Sequence, residues 1–406
     1  MRSSRPTPLV FPLCWSIVAL SFTISAALLN LFVPYTTSGG GLGGKFHPAT
    51  WIAVMLALVV ARSRRDHGAP PYTRAALAVF ACLLVSLLLR GRGGMAATIM
   101  DTHVMCTVLV LGLSRLDFEH VRKIMRLFLG IALVNVVIIA AEFAASRALL
   151  PRDGFQYHFR PAGLFGHPIM AGTLLYCAMF LVSRGLIRNT WAKPVMFVLL
   201  CGIALCGVRG PLATGALIFI EYTFRPSRSG RRADDYLFRL AIIALIPVAV
   251  VAAISAGVFD RIFDTGLWDA SAATRFDIFE TLGLLTEAEL WQGLPEYEAA
   301  STLALAVTGN PLIENAFVGM VLHAGIPSAA LLATGLLLQH GPAARANAMF
   351  ALVVLVVATT TLGFGTKNMI PLAITLAGYW TWRSAREKDA SAHVSRSATA
   401  RHDGES

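Results

Sequence analysis

Apolar runs about as long as the hydrocarbon core of a bilayer recur along almost the whole chain. About 20 apolar residues in a helix cross that core, and a helix satisfies its own backbone hydrogen bonds where no water is present. Of the 406 residues, 56% are hydrophobic and only 14% are charged, whereas an ordinary soluble domain has about 25% charged residues. The sequence therefore predicts an all-α, polytopic membrane protein and excludes a soluble globular one.

We expect about twelve transmembrane helices. The predicted ranges are 9–33, 46–61, 75–90, 95–114, 127–147, 169–183, 194–207, 211–224, 240–258, 312–338, 347–364 and 370–382. The first range is longer than the apolar core of a signal peptide, which is about 7–15 residues, so we expect it to be retained as a span. The stretch 194–224 is divided at Gly207–Pro211, because one long helix would place Arg209 inside the membrane directly before a proline-containing turn.

The basic residues predict the orientation of these helices. With both termini in the cytoplasm, 24 of the 34 Lys and Arg residues lie on the cytoplasmic side, in agreement with the preference of basic residues for cytoplasmic loops. This distribution also accounts for the net charge of +11. Because the basic loops lack interleaved aromatic residues, the sequence does not predict a nucleic-acid partner.

The predicted domain organisation is a transmembrane domain over residues 1–382 and a polar, disordered cytoplasmic tail over 383–406. The largest predicted outer loop, 259–311, contains nine acidic and two basic residues. Within it lies the amphipathic stretch Thr274–Leu285, in which Phe276, Phe279 and Leu282 recur at helical spacing. This stretch lies either on the membrane surface or against the protein itself, and the sequence leaves both placements open.

Three ionisable residues, Asp101, His103 and Glu142, lie inside predicted spans. Ionisable groups are costly in a membrane and are usually functional or paired. Asp101 and Glu142 either line an outward-facing cavity or pair with Arg90 or Arg92. The first possibility leads to an alternative function of another class, a transporter of lipid-linked oligosaccharide. The absence of a recognisable internal repeat and the collection of charges at one face disfavour it.

Three arginines, Arg160, Arg209 and Arg275, lie near membrane level on the predicted outer face, against the usual orientation of basic residues. The planar guanidinium group binds phosphate oxygens in a bidentate manner. A group of such residues at the outer leaflet suits a lipid phosphate or diphosphate. The alternative is that each arginine extends to the lipid headgroups without a specific ligand.

Four segments together carry a resemblance to a known family. They are Phe159–Pro168, Val208–Pro211, Thr274–Phe279, and Ile313–Phe317 with Gly325-Ile326-Pro327 following. In this order, with the largest outer loop before the third-last span, they resemble the bacterial O-antigen ligase/polymerase superfamily over about residues 120–380. The resemblance implies a glycosyltransferase-C-like fold in the bacterial inner membrane. It also implies a metal-independent, inverting glycosyltransferase that needs no cofactor.

In this family the donor is a glycan on undecaprenyl diphosphate, presented at the periplasmic face. Polymerases transfer the growing chain to the next lipid-linked repeat unit, and ligases transfer the finished chain to lipid A-core. A developing negative charge on the diphosphate requires fixed cations, and the acceptor hydroxyl requires a base. The expected catalytic residues are Glu314 as the base with Arg209 and Arg275 on the diphosphate, and the expected substrate-binding residues are Arg160, His167 and Asn315.

The chain departs from the ligase pattern at two positions. Ligases typically have a histidine where this chain has Glu314, and a small hydroxyl residue where it has Val208. An acidic base favours a polymerase of O-antigen, capsule or exopolysaccharide, with a chain-length regulator and a flippase as possible partners. The alternatives are a ligase with His167 as the base, and a Glu314 that only interacts with the helix dipole.

Overall fold

The computed structural model is built from α-helices, and the part of the chain that it describes contains no β-strand. The described residues are 9–33, 35, 42–63, 68–150, 159–225, 270–311, 313, 315–360, 364 and 367–402. The predicted all-α class is confirmed for these residues. The predicted span 240–258, the first part of the largest loop and Glu314 lie outside them.

Helices occupy the other eleven predicted apolar runs. Their bounds, with those of the intervening helices, are α1 Val10–Thr23, α2 Ala26–Leu29, α3 Pro48–Arg62, α4 Thr73–Leu89, α5 Gly93–Ile99, α6 Met105–Leu113, α7 Phe118–Ala145, α8 Pro168–Ser183, α9 Asn189–Leu205, α10 Arg209–Phe224, α11 Ala270–Asp277, α12 Glu280–Gly283, α13 Glu287–Gln292, α14 Tyr297–Thr308, α15 Ala316–Ala346, α16 Ala348–Thr360 and α17 Ile370–His402. Five π-helical residues, Met100–Val104, join α5 to α6. Within the described ranges, Gly93–Leu113, α7 and α15 are the helices long and apolar enough to cross a membrane.

The turn between α9 and α10 lies where the sequence places it. Gly207 occupies the turn with a φ of 62°, in the left-handed region that glycine adopts without steric cost. Arg209 is consequently the first residue of α10. The prediction of two helices in this stretch is confirmed.

Helix α15 is interrupted at Gly325, where φ is 80° and ψ is 168°. A break leaves backbone carbonyl groups without their helical donors. The carbonyl of Leu322 accepts a hydrogen bond from the backbone N–H of Leu294 at 2.7 Å. The carbonyl of Ala324 accepts one from Nη1 of Arg90 at 2.9 Å. The break is therefore stabilised by two other segments of the chain.

Helices α11 to α14, residues 270–308, form a unit that we call the cap. Its apolar cluster combines residues of the cap with the first turns of α15: Ile278, Leu294, Ala300, Ala304, Val318 and Leu322. Gly335 of α15 packs on Phe80 of α4, and Arg90, just beyond α4, contacts Ala324. The part of α15 before Gly325 thus extends past the end of α4 and packs with the cap.

The amphipathic stretch of the cap packs on the protein through a different face from the one predicted. Ile278 and Thr281 are buried, and Leu282 packs against the apolar clusters. Phe276 and Phe279, which share the predicted face with Leu282, are 61% and 51% exposed. Two short helices with a break between them replace one regular helix, and the break changes which side chains share a face.

Helix α17 continues from the last predicted apolar run into the polar stretch for which the composition predicts disorder, and it ends at His402. At the same end of the bundle, Arg184 after α8 donates hydrogen bonds to both carboxylate oxygens of Glu221 in α10, at 3.3 and 3.1 Å. Arg184 also donates to Oδ1 of Asn347, before α16, at 3.3 Å. These contacts join three helices at the end opposite to the cap.

Candidate functional site

The loop that carries Arg160 is held by a buried carboxylate of α7. Oε2 of Glu142 accepts hydrogen bonds from the backbone N–H groups of Ala162 and Gly163, each at 2.8 Å. Oε1 accepts a third from the N–H of Leu149 at 2.7 Å. Glu142 is 1% exposed, and hydrogen bonds to backbone donors are what stabilise an ionised carboxylate away from water.

A second polar residue of α7 holds the same loop. Oδ1 of Asn135 accepts a hydrogen bond from the N–H of Leu164 at 2.9 Å. Gly163 has a φ of 57°, and a Cβ atom there would lie 2.9 Å from Cγ of Asn135. Both the backbone conformation and the close approach therefore require glycine at this position.

The held loop places Arg160 beside the turn that precedes α10. A Cβ atom on Gly207 would lie 3.5 Å from Cδ of Arg160, so the arginine side chain passes along the glycine backbone. Arg209 follows two residues later as the first residue of α10. The structure thus brings together two segments that carry predicted site arginines, although they are 49 positions apart in the sequence.

Helix α10 is positioned by close packing on α8. A Cβ atom on Gly172 of α8 would lie 2.8 Å from side-chain atoms of both Pro211 and Val208. The N-terminus of a helix has a positive electrostatic potential from its free N–H groups. Together with Arg160 and Arg209, this helix start makes a site suited to a phosphate-bearing anion.

His167 and Asn315 both cap helices. Nδ1 of His167 accepts the N–H of Ile169 at 3.2 Å at the start of α8. Oδ1 of Asn315 accepts the N–H groups of Phe317 and Val318, at 3.0 and 3.1 Å, at the start of α15. In a neutral His167 whose Nδ1 accepts a hydrogen bond, the ring hydrogen is on Nε2, so the ring is arranged to donate at Nε2 rather than to act there as a base.

The other two predicted site residues are Arg275 and Glu314. Arg275 is half-buried in the last turn of α11, and α11 packs chiefly against α12 and α14. Glu314, the predicted base, lies outside the described residues, directly before the capping residue Asn315. The start of α15 contributes Val318 to the apolar cluster that also contains Ile278, directly after α11.

Asp101 has partners from a different part of the chain. Its carboxylate accepts hydrogen bonds from the hydroxyl groups of Tyr35, at 2.8 Å, and Thr50, at 2.7 Å, and from the N–H of His47 at 3.1 Å. Burial and the nearby Asp101 carboxylate raise the pKa of Tyr35, so the phenol stays protonated at neutral pH and donates a hydrogen bond to Asp101. Asp101 is 0% exposed, and these contacts fasten the α2–α3 connection to the π-helical segment.

The sequence predicts two alternatives for Glu142 and Asp101, a cavity or a pairing with Arg90 or Arg92. The structure gives both carboxylates the donors described above, and both are buried. Arg90 and Arg92 instead donate to backbone carbonyl groups at Ala324 and at Leu294 and Pro295. Arg90 therefore stabilises the break in α15, and Arg92 binds backbone carbonyl groups of the cap.

Sequence reasoning did not identify Asn135 as part of the site. Asn135 and Glu142 are seven residues apart in an otherwise apolar stretch of α7, a spacing that places two side chains on one helical face. The sequence therefore indicated that the two polar side chains share one face of α7. A single sequence does not identify the backbone of the loop 159–166 as the partner of this face.

Comparison with family models gives no match to the chain. A search of curated proteins likewise gives none.

Proposed function

We propose that the protein is a polysaccharide polymerase of the bacterial inner membrane, with both termini in the cytoplasm. It transfers an undecaprenyl-diphosphate-linked glycan onto the next lipid-linked repeat unit at the periplasmic face. The glycan belongs to O-antigen, a capsule or an exopolysaccharide. The observation that carries the proposal is that the side chain of Arg160 lies along Gly207, two residues before Arg209, which begins α10.

The reaction in this proposal is a single displacement at the anomeric carbon of the donor sugar. The acceptor hydroxyl oxygen forms the new glycosidic bond while the bond between the anomeric carbon and the diphosphate oxygen breaks. The electron pair goes to the diphosphate, and the hydroxyl proton goes to the carboxylate of Glu314. Configuration at the anomeric carbon is inverted.

The arginines stabilise the leaving group in this mechanism. Negative charge develops on the diphosphate as the bond breaks, and positioned cations stabilise the transition state more than the ground state. Arg160 and Arg209 supply this charge from the bundle, and Arg275 supplies it from the cap. His167 donates from Nε2 to the substrate, and Asn315 contributes to substrate binding from the start of α15.

Deletion of the gene in the native bacterium, followed by sizing of lipid-linked and surface glycans, tests the proposal. A polymerase defect leaves single repeat units, on the lipid carrier or attached to lipid A-core. Long chains on undecaprenyl diphosphate with bare core at the surface would instead identify a ligase. If repeat units fail to reach the periplasm, a flux assay of lipid-linked oligosaccharide in liposomes would identify a transporter.

Complementation with arginine variants tests the site. Arg209→Ala and Arg275→Ala are expected to abolish polymer while the protein remains in the membrane at normal level. The matched control is Arg188→Ala, because Arg188 is an exposed arginine before α9, at the opposite end of the bundle. Polymer of normal length and yield from Arg209→Ala or Arg275→Ala would refute the role of the arginine concerned.

A further inference from the structure

We propose that Glu142 is a positioning residue for the proposed diphosphate site: through the backbone of the loop 159–166 it fixes Arg160 along Gly207, two residues before Arg209. The inference rests on the proposed function, because it assigns Arg160 to the diphosphate of a lipid-linked donor. Glu142 itself does not touch the substrate in this arrangement. It acts on the donor only through the position of the arginine.

The location of Glu142 is unfavourable for the helix that contains it. It lies in the last turn of α7, where the helix dipole disfavours a negative charge. It is also buried, and burying a carboxylate costs several kcal/mol unless its oxygens are satisfied. The stability of α7 therefore does not explain a glutamate at this position.

The backbone N–H groups that bind Glu142 do explain it, because they use both carboxylate oxygens. Oε2 receives the N–H groups of Ala162 and Gly163, and Oε1 receives that of Leu149. Pro161 lies between Arg160 and the first of these anchored groups, and its ring restricts the backbone φ angle to about −65°. An anchored Ala162 therefore leaves Arg160 little freedom relative to α7.

The surroundings of Arg160 are equally restricted. The side chain of Arg160 runs along Gly207, which has a left-handed backbone conformation and no side chain to displace it. Arg209 begins α10, which is packed against α8 at Gly172. Two arginines on separate rigid supports can bind the two phosphates of one diphosphate only while both supports hold.

Glutamine at position 142 tests the anchor with almost no change of shape. The amide has one acceptor oxygen and two N–H donors, whereas the three contacts described for Glu142 require acceptors. Glu142→Gln therefore sets N–H donors against at least one of these N–H groups, and the contacts that it keeps lose the charge of the carboxylate, which makes a hydrogen bond about twice as strong. We expect a weaker anchor, a more mobile Arg160 and an unchanged Arg209.

The experiment uses the purified full-length protein in nanodiscs with farnesyl diphosphate as the probe. Affinity is measured by microscale thermophoresis, and arginine protection by phenylglyoxal modification with peptide mass spectrometry. We expect Arg160→Ala and Glu142→Gln each to weaken binding about 10-fold or more, and the double variant to bind no more weakly than Arg160→Ala. In Glu142→Gln the probe still protects Arg209 and no longer protects Arg160.

Asp101→Asn is the matched control, because it neutralises another buried carboxylate whose donors are Tyr35, Thr50 and His47. Its affinity for the probe is expected to equal that of the wild type. General disruption of the bundle would instead remove the protection of both arginines in Glu142→Gln, and this result would overturn the positioning role.

The outcomes separate this inference from the function on which it rests. Wild-type affinity in Arg160→Ala would refute the assignment of Arg160 to the diphosphate, whatever Glu142 does. Weak binding in Arg160→Ala with normal binding and normal Arg160 protection in Glu142→Gln would overturn the positioning role alone. If Glu142→Gln does not fold, Glu142→Asp keeps the charge but withdraws the carboxylate by one methylene group from the N–H groups of Ala162 and Gly163. Unchanged protection of Arg160 in that variant would likewise overturn the inference.

Discussion

The substitution Gly325→Ala tests how the break in α15 holds the cap. A Cβ atom at this position would overlap the carbonyl oxygen of Trp291 and lie 2.5 Å from its carbonyl carbon. These are backbone atoms, so no side-chain rotation relieves the overlap. The φ and ψ of Gly325 are also in a region that is essentially restricted to glycine. Alanine therefore requires the segment at Trp291 to move away from α15.

The expected cost follows from the contacts that this movement breaks. The unfavourable backbone conformation contributes about 1–3 kcal/mol. Loss of the hydrogen bond from Leu294 to Leu322 contributes about 0.5–1.5 kcal/mol more. Together these give about 1.5–4.5 kcal/mol, which corresponds to about 10- to 2000-fold at 1.4 kcal/mol for each factor of ten. The cost falls on the attachment of the cap rather than on the bundle.

Hydrogen exchange followed by mass spectrometry measures this effect in the full-length protein. Peptides over residues 286–296 are expected to exchange faster by the factor above, and peptides over 370–383 to remain unchanged. Gly341→Ala is the matched control, since Gly341 lies in the same helix with no neighbouring atom within 4 Å of its Cβ position. Wild-type exchange at 286–296 in Gly325→Ala would refute the reasoning that glycine holds the break.

Two further predictions concern contacts away from the candidate site. Glu221→Ala is expected to lower the free energy of unfolding by about 1–3 kcal/mol, because Arg184, with 8% side-chain exposure, loses its acidic partner. Thermal denaturation in detergent measures this loss of stability. The control is removal of the more exposed ion pair of Arg122, which is expected to cost under about 1 kcal/mol. Equal losses of stability from the two changes would contradict the prediction. In α13, the backbone N–H and hydroxyl of Thr286 lower the pKa of Glu289. The folded pKa is then below the unfolded value of about 4.3, so this stabilisation is complete above that pH and is lost as the pH falls through the folded pKa. Exchange of the α13 amides is expected to rise in that window in the wild type but not in Thr286→Ala, and identical pH profiles would contradict the assignment.

Helix positions were predictable because apolar residues and turn signals are local. A long apolar run predicts a helix wherever the backbone must satisfy its own hydrogen bonds. The division before α10 was predictable from Gly207, Arg209 and Pro211 alone, because a charge followed by proline is incompatible with the middle of a span. No residue from elsewhere in the chain is needed for this argument.

The arginines of the candidate site could be picked out from the sequence as residue types, but their arrangement could not. Arg160 and Arg209 stand out in the sequence because basic residues are rare on the predicted outer face. That Arg160 passes along Gly207 depends on how the loop 159–166 packs. In the same way, the face of the amphipathic stretch that packs on the protein depends on a break after Asp277 and on the apolar surface that α15 offers.

The sequence by itself determined the all-helical class, the division of the chain into helices, and the residue types suited to bind an anion. Each of these depends on neighbours within one or two helical turns. Only the tertiary structure decided what the buried carboxylates do. Glu142 accepts from the backbone of a loop 20 positions away, and Asp101 accepts from a phenol 66 positions away. A buried charge persists only where donors converge on it, and the donors are brought there by packing between segments that a single sequence does not connect.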